Sequence, residues 1–260
     1  MASLQIPATP ADDLVQPGDL QTTWLIARRG AVESLRDRMT VVVSVMWALV
    51  VPFLLVLLEI RPQASQVGAA AGGGLGTLVA IYLLVVGLMP ASGAIGIASG
   101  LFAGEKEQGS LLPLLATPAS NQAIFAGKVL GAMLPVLLYA GLAEISYLTE
   151  IRLLVGAPTL GLVPLALALA MVALVPADAL LGAVVASLVS SRVRTYQSAQ
   201  MLTSLALVPI MAALFGLATR MQRWGPGGLV IVVGVIVALD VLLVLVSAAT
   251  WQREEVMARR

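Results

Sequence analysis

The sequence predicts an all-α integral membrane bundle of six spans. Three observations carry that prediction. Of the 260 residues, 59% are hydrophobic and 11% charged, a balance outside the range of soluble domains. Apolar stretches of about 20 residues, the length that crosses a bilayer as a helix, recur from Thr40 onward. The charges cluster between those stretches and are largely excluded from them.

Hydropathy places the spans at Thr40–Leu58, Leu75–Gly104, Ile124–Leu148, Leu160–Val189, Ala199–Ala218 and Leu229–Ala249. With an inside N-terminus, the inner segments hold Arg28, Arg29, Arg36, Arg38, Lys106, Lys128, Arg192, Arg194, Arg253, Arg259 and Arg260. The outer loops hold only Arg61, Arg152, Arg220 and Arg223. Positive charge is retained on the cytosolic side, so both termini are expected there. The organisation that follows is a cytosolic tail over 1–19, an interfacial helix over 20–38, a six-span unit over 39–251 and a second tail over 252–260. The first tail carries Asp12, Asp13 and Asp19 and no apolar run, unlike a secretory signal.

Pro52, Pro90, Pro135, Pro176 and Pro209 lie inside spans and Pro164 near a span end. Each removes a backbone donor and favours a bend. Gly96, Gly100 and Gly104, at four-residue spacing, make one face of the second span a place for close helix approach, within the chain or between copies.

Before the first span, Leu20, Trp24, Ala27, Ala31, Leu35 and Met39 recur every three or four residues, with Arg28, Arg29, Arg36 and Arg38 among them. That pattern predicts an amphipathic helix on the inner membrane surface, with Asp19 as its N-cap. It anchors the topology or also meets a cytosolic partner.

The connection between spans two and three, GEKEQGSLLPLLATPASNQAIFAGK, is not an ordinary hydrophilic loop. Glu105, Lys106 and Glu107 end a helix in water, and Gly109 suits the residue after a helix C-terminus. Ser110 then caps a short helix over Leu111–Ala116, with Pro113 in its first turn. Thr117-Pro118 is a second start signal, opening the third span. The prediction is a short apolar helix, about 110–118, lying across the cytosolic face.

At these residues the chain resembles the ABC-2 type transporter permeases, the membrane-spanning subunits of sodium-efflux and drug-export ABC exporters. That family carries a cytosolic Glu-x-Glu-x-Gly-(Ser/Thr)-x-x-x-Leu-Leu-x-Thr-Pro stretch. Here it stands as Glu105, Glu107, Gly109, Ser110, Leu114, Leu115, Thr117 and Pro118, followed by Lys128. Leu35-Arg36-Asp37-Arg38, Ala199-Gln200 and Pro209 extend the resemblance, while Pro113 departs from it. The resemblance implies a cytosolic ABC ATPase subunit as partner, a second permease subunit, and a coupling helix that passes ATPase movement to the spans. It also implies that ATP and Mg are held by the partner and no cofactor by this chain. The sequence agrees in lacking a Gly-x-x-x-x-Gly-Lys-(Ser/Thr) phosphate loop. The expected location is the inner membrane of a prokaryote.

Three carboxylates fall within predicted spans: Glu144, Asp178 and Asp240. An aspartate at a span centre costs about 3 kcal/mol on insertion scales, so each should face the bundle interior. They either serve as counter-charges in a path for a cation, proton or cationic amphiphile, or each is protonated or accepts hydrogen bonds from Ser, Thr or Tyr on neighbouring helices and holds the bundle together. No Lys or Arg is expected deep in a span to pair with them. A proton- or sodium-coupled secondary transporter using these three acids is the alternative function. The chain contains no Cys and no His, which removes disulfides, the commonest metal ligand and most catalytic templates. A net charge of +1 gives no sign of nucleic acid as a partner.

Overall fold

The computed structural model describes residues 18–66, 72–110, 117, 119–163, 165–193 and 195–250. Side-chain surroundings are described for these except 66, 72, 73, 167, 171, 210, 211, 213–233, 249 and 250. Among the described residues every regular element is helical: α1 (Asp19–Arg36), α2 (Arg38–Leu55), a π segment over Val56–Ile60, α3 (Arg61–Gln66), α4 (Gly72–Ala91), α5 (Gly93–Ser99), a second π segment over Gly100–Gly104, α6 (Glu105–Glu107), α7 (Asn121–Leu154), α8 (Ala157–Leu160), α9 (Leu165–Arg192) and α10 (Tyr196–Thr250).

Among the described residues four stretches are long and apolar enough to cross a membrane: Arg38–Ser65, Gly74–Glu107, Asn121–Leu154 and Ala168–Arg192. Gly234–Ala248, within α10, is a further apolar helical stretch. The packing is inverted relative to a soluble protein. The interior is rich in alanine, including Ala91, Ala94, Ala98, Ala132, Ala179, Ala183 and Ala186, while Leu138, Ile145, Leu165, Leu205 and Leu245 point outward. Small residues let helices approach closely, and bulky ones meet lipid, because hydrocarbon outside exerts no force to bury them. The protein is a multi-pass α-helical membrane protein.

Helix α7 is the hub, packed against α1, α2, α4, α5 and α9. In its most apolar stretch 72% of residues are buried, against 17% in the stretch containing α2, so α2 stands at the periphery. The second predicted span breaks at Ser92, two residues after Pro90, and Ser92 Oγ donates to the Met89 carbonyl at 2.7 Å. This is the bend expected of an internal proline.

Where spans five and six are predicted, the chain forms one helical element, Tyr196–Thr250, of 55 residues. Drawn straight it would measure about 80 Å, more than twice a bilayer core. It is not straight. Leu207, Leu239 and Leu243 all join the cluster formed with Leu181 and Val185 of α9, whereas a straight helix holds Leu207 and Leu243 about 54 Å apart. The chain therefore turns back between Leu207 and Leu239, a stretch that includes Gly225-Pro226-Gly227-Gly228.

Two local expectations are corrected. The N-cap of α1 is Gly18, and Asp19 is the first helical residue, where its carboxylate still suits the positive helix end. The helix of the third span begins at Asn121 and not at Thr117-Pro118. Ser120 is its cap, accepting from Ala123 N at 3.1 Å, because its hydroxyl reaches an otherwise unpaired amide of the first turn. Lys128, read as a charge of the inner segments, is in addition buried and ion-paired with Glu105 of α6. Leu114, Leu115, Pro118 and the rest of the predicted coupling helix from 111 to 116 lie outside the described residues, as do 1–17 and 251–260.

Candidate functional site

The two glutamates of the loop motif tie three helices together at one end of the bundle. Glu105 follows the π segment Gly100–Gly104, in which its own N–H reaches back to the Gly100 carbonyl. In a regular α-helix that amide would go to Leu101. The Leu101 carbonyl instead accepts from the Lys128 ammonium. Lys128 also contacts Glu105 Oε2 at 2.6 Å and sits 5.3 Å from the centre of the Phe102 ring. At 1% exposure this ammonium is a buried charge, tolerable only because a carboxylate, a carbonyl and a π face surround it.

Glu107 reaches another helix. Its Oε2 accepts from Tyr196 N at 2.9 Å, placing a carboxylate on the N-terminus of α10, where free amides and the helix dipole attract negative charge. Gly109 adopts φ +72° and its N–H bonds to the Lys106 carbonyl at 3.2 Å. This left-handed turn ends α6 and is open to glycine at little cost. Ser110 Oγ returns to the Glu105 carbonyl at 3.3 Å, and Thr117 is exposed in a bend.

Helix α1 docks on α7 through backbone. Ala27, Gly30 and Ala31 are buried. Gly127 and Gly131 of α7 face them so closely that a Cβ on Gly127 would lie 2.7 Å from Ile26 Cβ, and one on Gly131 3.1 Å from the Ala27 carbonyl oxygen. The predicted apolar stripe is thus divided. Its small members pack on protein, while Leu20, Trp24, Leu35 and Met39 remain exposed with Arg28, Arg29, Arg36 and Arg38.

A groove of about 1590 Å³ runs from this end toward the middle of the bundle. Arg29, Glu33, Asp37, Glu105 and Glu107 line its outer part, and Trp47, Gly96, Asp178, Tyr196, Gln200 and Ser204 line it further along. Gly96 and Gly100 face the first turns of α10 across this space at ordinary van der Waals distance. They serve contact within the chain, not the tight seam their spacing suggested.

The three predicted membrane carboxylates do not form one cluster. Asp178 (8% exposed) lines the groove, and Asp240 lies near enough to Asp178 for their charges to interact. Glu144 is buried elsewhere, against Gly87 of α4. Among the described residues, Glu144 Oε1 and Asp240 Oδ1 are buried with no hydrogen-bond partner, so the bonds that would make them purely structural are not made at those atoms.

No family model matches the chain. Over 118 residues it is 32% identical to the probable ABC transporter permease protein NosY of Pseudomonas aeruginosa. The matched stretch takes in 43% of this chain and 39% of that protein, so the chain spans about two-fifths of the relative's length. The similarity supports kinship with ABC transporter permeases at the level of that name.

Proposed function

We propose that the chain is the permease subunit of an ABC exporter of the ABC-2 type. It crosses the inner membrane of a prokaryote six times, with both termini in the cytosol. The two arms of α10 serve as spans five and six, reversing on the outer side. A separate cytosolic ABC ATPase holds ATP and Mg, and a second permease subunit completes the assembly. The segment about 110–118, including Leu114, Leu115, Thr117 and Pro118, acts as the coupling helix.

The observation that carries this reading is the pair of contacts made by Glu105 and Glu107. The loop begins from a point clamped to both α7 and α10, so a push on the loop reaches two helices beside the groove as well as its own. Glu144, Asp178 and Asp240 belong to the translocation path in this reading, and Trp24 with Arg28, Arg29, Arg36 and Arg38 seats α1 at the cytosolic lipid surface.

The test is reconstitution. The purified chain hydrolyses no ATP, hydrolysis appears with the cytosolic ATPase subunit, and Glu105→Ala with Glu107→Ala lowers ATP-driven transport more than ATPase binding. Transport by this chain alone in ATP-free vesicles, driven by a proton or sodium gradient, sinks the reading in favour of a secondary transporter.

A further inference from the structure

The groove carries a one-sided charge. Its ionisable lining is Arg29 against Glu33, Asp37, Glu105, Glu107 and Asp178. Several of these acids are already engaged. Glu105 pairs with Lys128, Glu107 caps α10, and Asp37 accepts from the first amides of α2. Asp178 is not. Among the described residues no group donates a hydrogen bond to it and no cation pairs with it, although it is more than nine-tenths buried and lines the groove. Its electrostatic neighbour is another acid, Asp240, whose Oδ1 is buried without a partner among those same residues. A carboxyl held in apolar surroundings beside a second acid must either take up a proton or be answered by a cation, and a cation reaching the groove would favour its ionised form.

The rest of the lining fits the same occupant. Trp47 and Tyr196 border the space, and aromatic faces attract cations. Leu88, Met89, Ile97 and Leu207 supply apolar wall. The volume of about 1590 Å³ exceeds the 300–1,000 Å³ of ordinary drug-sized pockets, so neither a bare ion nor a proton needs such room. We infer that the groove binds hydrophobic organic cations, with Asp178 as their counter-charge. This rests on reading the groove as the translocation path and adds the class of substrate.

Two ions of the same shape and opposite sign test it: tetraphenylphosphonium and tetraphenylborate. Binding to the full chain purified in detergent is measured by equilibrium dialysis, with variants carrying the same micelle background. Tetraphenylphosphonium should bind saturably, at least tenfold more weakly to Asp178→Asn, and within threefold of wild type to Asp178→Glu. Tetraphenylborate should show no Asp178-dependent binding. Gly96→Leu keeps every charge and projects into the groove from a position with room for a Cβ; it should also weaken cation binding, by crowding.

Equal binding of the cation to wild type and Asp178→Asn overturns the inference, as does equal loss of both ions in that variant. A groove closed by a second copy of the chain would show as cation binding only in the monomer fraction, and binding absent from the assembled dimer likewise overturns it. ATPase stimulation by the permease is a separate readout. If it holds while the cation does not bind, the substrate class is wrong and the transporter assignment stands.

Discussion

Lys128 Nζ lies 2.6 Å from Glu105 Oε2 and also holds the carbonyl of Leu101, so one side chain of α7 clasps both the end of the π segment and the first residue beyond it. The ammonium is almost wholly enclosed and the carboxylate is 18% exposed. Removing one partner of a buried pair strands the other charge, whereas removing both strands none.

Lys128→Met should therefore destabilise the chain by about 3 kcal/mol, at the lower end for a buried pair because Glu105 keeps some contact with water. Lys128→Met combined with Glu105→Gln should recover most of that loss. Thermal unfolding of the four proteins in one detergent gives the double-mutant cycle. A double variant as unstable as Lys128→Met alone would show that the Leu101 carbonyl, not the ion pair, is what matters.

Two glycines of α7 should respond oppositely to the same substitution. Gly127→Ala forces a methyl against Ile26 Cβ and the Thr23 carbonyl, at 2.7 and 2.9 Å, and overpacking of this kind costs about 1–3 kcal/mol. Gly141→Ala meets open space and should gain about 0.5–1 kcal/mol from helix propensity. Limited proteolysis within α1 checks the mechanism, since only Gly127→Ala should loosen that helix.

The junction of α1 and α2 should be acid-sensitive. Asp37 accepts from Met39 N and Thr40 N, at 3.2 Å each, and from the Thr40 hydroxyl. The Thr40 hydroxyl above all, then the Thr40 and Met39 amides, favour the ionised form and hold its pKa below the ordinary 3.8. A lowered folded-state pKa means the cap contributes fully above the unfolded value and is lost as pH falls through the folded one. The protection of the Met39 and Thr40 amides, taken relative to intrinsic exchange at each pH, should fall only below pH 3.8. Asp37→Asn should remove that acid limb, and an unchanged profile in the variant would show that another group controls it.

The reversal within α10 makes a topological prediction. The chain has no cysteine, so single cysteines report without background. Gly227→Cys should react with a membrane-impermeant maleimide applied to intact cells, and Ser110→Cys only after permeabilisation. Labelling of both from the same side would exclude six spans with an outer turn between the last two.

The membrane class is legible in the sequence because hydropathy is summed over some twenty residues and survives local error. Helices α2, α7 and α9 and the joined α4 and α5 each coincide with an apolar run. What sequence misses depends on single contacts. Lys128 resembles a flanking charge because nothing in a linear pattern shows that a π segment leaves the Leu101 carbonyl facing it. Gly127 and Gly131 form the tight seam, while Gly96 and Gly100, which share their spacing, face the groove. Spacing states which residues share a helix face, not what lies opposite. Thr117-Pro118 has the residue types of a helix start, yet Ser120 has the geometry that caps. Of the candidate path, the burial of all three acids is foreseeable from cost alone. The separation of Glu144 from Asp178 and Asp240 is legible in part, since Glu144 lies near the far end of its predicted span while the two aspartates stand at similar depth in theirs; which way each helix turns them is not.

The wider turn at Gly100–Gly104 holds one residue more than an α-helical turn would, and each residue of an α-helix advances the face by about 100°. Were that turn to tighten, everything after it would swing by about that angle, carrying Glu105 off Lys128 and Glu107 off Tyr196 in the same motion. The one extra residue in that turn thus sets the register of both contacts at once, and its loss would release the ends of three helices together.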